Sequence, residues 1–136
     1  MNQMKFADGT VLSTIVVNSQ TVNYQNSVRA AIEVELTKET IAFDALYTLL
    51  KDVNKTKNII LISEESQNPK DGFIHLADGP RIRQIYIPTT DGTEGTNEER
   101  MCFTLAQKNY TEVQIDSFQD QIDLILLSIL NGGVAL

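Results

Sequence analysis

Alternating apolar and polar residues are the clearest pattern in the first two thirds of the chain. The alternation is cleanest between Arg29 and Leu36, where every second residue is apolar. A period of two predicts a β-strand with one face toward the core and one face toward water. The predicted inner face holds Ala30, Ile32, Val34 and Leu36, and the predicted outer face holds Arg29, Ala31, Glu33 and Glu35.

Further short apolar runs predict further strands. The Asp8-Gly9 dipeptide lies between two such runs and is typical of a hairpin turn, because glycine accepts positive φ angles. Asn58–Ile62 is short and β-branched, which favours a buried central strand. Residues 81–87 and 99–107 alternate again, on either side of the polar stretch 89–97, which we expect to be an exposed loop.

Two segments have helical spacing instead. Apolar residues recur three and four positions apart over about residues 40–52, after Thr37 or Thr40 as a candidate cap, and over residues 111–131. The second helix is expected to begin near Thr111, with Gln114 at a capping-box position. We therefore predict an α+β, mainly β fold: an antiparallel sheet, or a small sandwich or barrel, of about six or seven strands with one inserted helix and a C-terminal amphipathic helix.

We expect a single domain over residues 1–136, with a β-rich body over 1–110 and the C-terminal helix over 111–131. The 136 residues, 42% of them hydrophobic, match the usual size and composition of one folded domain. The formal net charge of −7 repels phosphate, so nucleic acid is not an expected partner. No apolar signal region or membrane span is visible in the sequence, so we expect the protein in the cytoplasm.

The C-terminal helix carries more apolar surface than one packed face accounts for. Ile115, Phe118, Ile122, Ile125 and Ile129 are spaced three and four residues apart, as in the seam of a coiled coil. Leucines fill other faces near its end. Leaving five such side chains in water would forfeit on the order of 10 kcal/mol, so something must cover them. The predicted interface residues are Ile115, Phe118, Ile122, Ile125, Leu126, Ile129 and Leu130.

Three coverings of that helix are compatible with the sequence. Within one chain, the sheet could cover one side of the helix and the inserted helix or the tail at 134–136 another. Alternatively, equivalent helices of neighbouring subunits could cover it. A membrane surface fits less well, because Asp116, Asp120 and Asp123 make the polar face acidic rather than basic.

No catalytic or metal-binding pattern stands out. His75 is the only histidine, and no motif surrounds any candidate nucleophile, so no triad can be argued. Cys102 is the only cysteine, which excludes a cysteine-based zinc site. The acidic loop from Asp91 to Glu99 breaks the EF-hand spacing. We expect no enzyme activity, no cofactor and no metal.

The order of features resembles a group of small phage proteins. The segments are ADGT (7–10), RAAIEVEL (29–36), FDALYTLLKD (43–52) and a long C-terminal stretch in which a strand of the type TxAQxxY (104–110) leads into a helix. This arrangement is similar to proteins encoded in or near tail and virion-morphogenesis genes in phages and prophages of Gram-positive bacteria. The resemblance implies a non-enzymatic structural or assembly role, and it implies the bacterial cytoplasm or a phage particle as the location of the protein.

The predicted function is therefore a phage-like structural or assembly protein that acts through protein–protein contacts. Its partners would be further copies in a homo-oligomer or other virion or tail proteins, with the C-terminal helix as the self-association surface. The alternative is a β module that binds a small ligand or carbohydrate. Its expected signature, exposed aromatic rings, is weak here, because the four tyrosines are scattered and tryptophan is absent.

Overall fold

Two antiparallel four-stranded sheets and three helices make up the part of the chain that the structure describes. The structure is a computed structural model that describes the backbone of residues 2–130 and the side chains of residues 2–126. The strands are β1 (Asn2–Lys5), β2 (Val11–Thr14), β3 (Val16–Tyr24), β4 (Ser27–Thr37), β5 (Asn58–Ile62), β6 (Gln67–Asp71), β7 (His75–Ile87) and β8 (Thr96–Ala106). The helices are α1 (Phe43–Lys51), α2 (Val53–Thr56) and α3 (Tyr110–Leu130).

The first sheet has the strand order β2-β1-β5-β6. The hairpin predicted around Asp8-Gly9 joins β1 to β2, and Gly9 takes a φ of +93°, which L side chains rarely adopt. The run Asn58–Ile62 forms β5 between β1 and β6, as its β-branched composition predicted.

The second sheet has the order β3-β4-β8-β7. Its two inner strands, β4 and β8, pair large apolar residues directly across the ladder. These pairs are Ile32 with Leu105, Val34 with Phe103, and Leu36 with Met101, and all six side chains are buried. Such cross-strand pairs fix the register, because a slip of one residue would turn each of them to the opposite face.

One apolar cluster joins the two sheets to α1. Met4 of β1 and Ile59 of β5 contribute from the first sheet, the β4 and β8 pairs from the second, and Leu46 and Leu50 from α1. The inserted helix therefore covers the core, as its apolar face predicted. The cluster does not include any residue of α3.

The predicted α+β, mainly β class is confirmed, although the described chain has eight strands rather than six or seven. β6 lies in a polar stretch for which the hydrophobic pattern predicted no strand. β6 is an edge strand, so it makes backbone hydrogen bonds to a neighbour on one side only. Its side chains are polar and it contains Pro69, so its sequence lacks the apolar alternation that predicts a strand. α2, a single turn capped by the Asp52 side chain, was also not predicted.

The helix α1 begins later than its predicted cap. Its N-cap is Ala42, which makes no side-chain capping bond. The predicted caps Thr37 and Thr40 instead share a hydrogen bond of 2.8 Å between their hydroxyls. The two threonines close a turn before the helix, because threonine hydroxyls stabilise turns as well as helix N-termini.

The predicted outer face of β4 is wrong at two charged positions, which are buried rather than exposed to solvent. Arg29 and Glu35 are both buried, whereas Ala30, predicted to face inward, is exposed. Glu35 lies 3.4 Å from the guanidinium of Arg100 on β8, and Arg29 contacts the start of α3. Each charge is buried because an opposite charge from another element covers it.

Candidate interaction surface on the C-terminal helix

The helix α3 starts with a reciprocal capping box. The Asn109 side chain accepts a hydrogen bond from the Glu112 N–H at 2.8 Å, and the Glu112 carboxylate accepts one from the Asn109 N–H at 3.1 Å. This pair replaces the predicted box of Thr111 and Gln114, two residues further along. Asn109 also donates to the Ser27 hydroxyl on β4 at 3.0 Å, which ties the cap to the sheet.

Three charged or polar side chains, which we call the anchor cluster, hold the first turn of α3: Arg29, His75 and Glu112. Arg29 of β4 donates to one carboxylate oxygen of Glu112, and Nε2 of His75 at the start of β7 lies 2.7 Å from the other. An ionised carboxylate only accepts hydrogen bonds, so Nε2 of His75 carries the proton. The helix is therefore fastened to two strands of the second sheet by one residue.

Arg29 is satisfied on several sides, which explains its burial. Its Nε donates to the Tyr24 carbonyl at 3.1 Å and its Nη1 to the Gln107 carbonyl at 3.3 Å. The guanidinium also lies 5.6 Å from the centre of the Tyr24 ring, in the range of a cation–π contact. The Arg29 side chain is only 3% exposed, against 29% for Glu112.

The environment of Glu112 stabilises its charged form. Partial burial acts to raise the pKa of this carboxyl, but hydrogen bonds from the Asn109 N–H, Arg29 and His75 outweigh it. The pKa of Glu112 therefore lies below its usual value. The group is ionised at neutral pH, and its charge is part of the helix attachment.

A second ion pair lies on the solvent side of the helix base. Lys108 Nζ is 2.5 Å from Asp116 Oδ2, and the side chains are 28% and 54% exposed. Next to it, a groove of about 610 Å³ separates the first two turns of α3 from the ends of β5 and β6, with Lys57, Asp71 and Tyr110 among its lining residues. Its size is in the range of small-ligand sites, but it is open to solvent.

Beyond its first turn, α3 leaves the body and is exposed on all sides. Every side chain from Val113 to Leu126 is exposed. At a rise of 1.5 Å per residue, the segment from residue 115 to residue 130 is about 24 Å long. The helix therefore stands away from the two sheets, fixed at one end.

Five of the seven predicted interface residues have described side chains, and all five are exposed. The exposed fractions are Ile115 61%, Phe118 64%, Ile122 38%, Ile125 60% and Leu126 51%. The sheets and α1 therefore do not bury these five side chains. The side chains of Ile129 and Leu130, and the tail at 134–136, lie outside the described residues.

The other candidate residues are separate from this surface. Cys102 is buried on β8, and burial raises the pKa of its thiol. Asp91 accepts hydrogen bonds from the hydroxyl and N–H of Thr93 in the β7–β8 loop, which lower its pKa to about 2. Within residues 2–130, no three His, Cys, Asp or Glu side chains converge as metal ligands, and no helix is long and apolar enough to span a membrane.

The anchor cluster was not predicted from the sequence. His75 and Arg29 lie 37 and 83 residues from Glu112 along the chain, and no sequence pattern indicated that they would meet it. The Asn109-x-x-Glu112 spacing, a capping-box pattern, was the one local signal that could have located the attachment point.

Comparison with known proteins gives no relative: no protein-family model, curated protein or solved structure matches this chain.

Proposed function

We propose that this chain is a non-enzymatic structural or assembly protein that acts through protein–protein contacts, with α3 as its self-association surface. The observation that carries the proposal is the exposed apolar stripe on α3, formed by Ile115, Phe118, Ile122, Ile125 and Leu126. The body already has a closed core of its own, so the stripe is not needed to complete it.

The energetic case rests on how much apolar surface the stripe leaves in water. Full burial of one large apolar side chain is worth roughly 1.5–3 kcal/mol, and these five side chains are about half exposed. Covering them would recover on the order of 5 kcal/mol per chain. That gain in free energy is large enough to support association. In an isolated monomer the same apolar side chains stay in contact with water and contribute none of it.

A protein partner agrees better with the charge of this chain than a membrane or nucleic acid does. The polar side of α3 carries Asp116, Asp120 and Asp123, and the whole chain has a net charge of −7. Anionic lipid surfaces and phosphate backbones are repelled by such a surface. A further copy of the same helix can cover the stripe without meeting these acids.

The resemblance to phage and prophage proteins supports a role in a virion or tail assembly. A self-associating helix attached to a small β body is suited to joining repeated subunits. Mass spectrometry of particles purified from a phage whose genome carries this sequence is the direct test. Recovery of the chain in stoichiometric amount is expected, and its absence from intact particles would remove the virion role.

The self-association surface is tested with charged substitutions in the full-length chain. Ile122→Asp with Ile125→Asp places two acids on the stripe, and we expect the mass in solution to fall to that of a monomer while circular dichroism still reports a folded body. Leu124→Asp is the matched control, because Leu124 is 67% exposed on the same helix but off the stripe. A wild-type monomer at every concentration, or an oligomer unaffected by the double substitution, contradicts the proposal.

A ligand-binding module is the second candidate, and the groove at the base of α3 is the observation that favours it. Tyr110, 78% exposed, offers an aromatic face at that groove, as a sugar ring would require. The other tyrosines lie on β3, α1 and β7, so no second ring joins it. Binding to a glycan array that is lost in Tyr110→Ala would support this function, and an array without any bound glycan would exclude carbohydrate.

A further inference from the structure

We infer that three copies of this chain associate through α3 in a parallel coiled coil. The inference rests on the proposed function and specifies the number and direction of the helices. Three features of the stripe carry it: the residues at its core positions, the residues beside them, and the placement of its acids.

The core positions of the stripe hold isoleucine almost throughout. Written as a heptad, the spacing places Ile115, Ile122 and Ile129 at position a, and Phe118 and Ile125 at position d. Two-stranded coils prefer β-branched residues at a with leucine at d, whereas isoleucine at both positions shifts the preference to three or four strands. Leucine is absent from all five of these positions.

The flanking positions limit the number of strands to three. Gln114, Gln121 and Ser128 occupy position g, and Gln119 and Leu126 occupy position e. A bundle of four or more helices would bury more of the side chains at positions e and g, and here it would enclose the polar amides of the glutamines. Leu126 is the one apolar flank, and a third helix would cover part of its exposed surface.

The charges of α3 allow identical helices to approach each other. Asp116 and Asp123 fall at position b and Asp120 at position f, on the side away from the seam. The flanks from 114 to 128 are uncharged, so a chain with a net charge of −7 meets no like charge at this contact. A basic partner helix would find no acid there to pair with, which favours further copies of this chain as the occupant.

Three-fold symmetry fixes the direction of the helices. In a closed ring of three identical subunits, every helix runs the same way along the axis. The three bodies therefore lie together at the N-terminal end of the coil, beside Ile115, because the anchor cluster holds that end of each helix against its own sheet.

The number of strands is tested by changing the d positions to leucine. Sedimentation equilibrium of the wild-type chain over a range of concentrations is expected to give three times the chain mass of 15.2 kDa. Phe118→Leu with Ile125→Leu creates the two-stranded pattern, and we expect the mass to fall to twice that of the chain. A wild-type dimer or tetramer overturns the trimer but leaves self-association intact, whereas a wild-type monomer overturns both.

The direction of the helices is tested with single cysteines. Ile115→Cys should form an intermolecular disulfide under mild oxidation, because parallel helices bring this position together in every copy. Leu124→Cys, at the outer position c, is the control and should remain uncrosslinked. The native Cys102 is buried and should not interfere. An oligomer in which Ile115→Cys fails to crosslink would contradict the parallel arrangement.

Discussion

The base of α3 and the rest of the helix place polar and apolar groups in opposite environments. At the base, the charged Arg29 is buried and paired with Glu112, and hydrogen bonds fix the first turn. Beyond the base, apolar side chains such as Phe118 and Ile125 lie in water. The two regions therefore have different roles. The ion pair and hydrogen bonds at the base fix the point at which α3 leaves the body, and the apolar surface beyond the base is available for a partner.

The largest expected effect comes from comparing two phenylalanines. Phe103 is 1% exposed in the core, and Phe118 is 64% exposed on α3. Phe103→Ala should lower the free energy of unfolding by about 3–5 kcal/mol because it leaves a cavity. Phe118→Ala should lower it by less than about 0.5 kcal/mol in the monomer. Urea unfolding at a concentration below that of association measures both, and equal losses would show that α3 belongs to the core.

Removing the carboxylate of the anchor cluster should have the next largest effect. Glu112→Ala leaves the buried Arg29 without its opposite charge, and we expect a loss of about 2 kcal/mol in the free energy of unfolding. Asp120→Asn on the same helix is the matched control, since Asp120 is exposed, and should cost almost nothing. If both variants unfold at the same urea concentration, the anchor cluster does not hold the helix.

The pH dependence of stability should reveal the same carboxylate. The pKa of Glu112 is lower in the folded protein than the ordinary value of 4.5. Its contribution is therefore fully present above the unfolded pKa and is lost as the pH falls through the folded pKa. Unfolding measured from pH 7 to pH 3 should show a smaller acid-dependent loss for Glu112→Gln than for the wild-type chain. Parallel curves for the two proteins would place the acid sensitivity elsewhere.

The smallest effect is expected at the exposed ion pair of the helix base. Asp116→Asn removes the ion pair with Lys108. The Asp116 side chain is 54% exposed, so we expect the free energy of unfolding to change by less than about 0.5 kcal/mol. Asp116 lies off the stripe, and the oligomeric mass should also be unchanged. Thermal unfolding and light scattering on this variant check both points, and a loss comparable to that of Glu112→Ala would make the two ion pairs equivalent.

Periodicity predicted the elements in which apolar residues recur at a regular spacing along the chain. The alternation from Arg29 to Leu36 became β4, the run at Asn58 became the interior strand β5, and the spacing after Thr111 became most of α3. Edge strand β6 was missed, because backbone pairing at an edge leaves its side chains polar. The fold class therefore follows from the interior strands and the helices.

The anchor cluster was beyond the reach of periodicity because it joins residues from three distant elements. Alternation placed Arg29 on the outer face of β4. Its burial is made favourable by Glu112 from α3 together with the carbonyls of Tyr24 and Gln107. Two capping boxes were also possible at the start of α3. The one with Glu112 is used because the same carboxylate accepts from Arg29 and His75, which Gln114 could not match.

The attachment of α3 at one end makes the helix a lever. Its free segment is about 24 Å long, so a tilt of about 10° at the anchor cluster would move the far end by about 4 Å. In the proposed assembly, Arg29, His75 and Glu112 would therefore set the angle between each β body and the shared helical axis. Substitutions at these three side chains would alter the shape of an assembly without touching the contacts that hold it together.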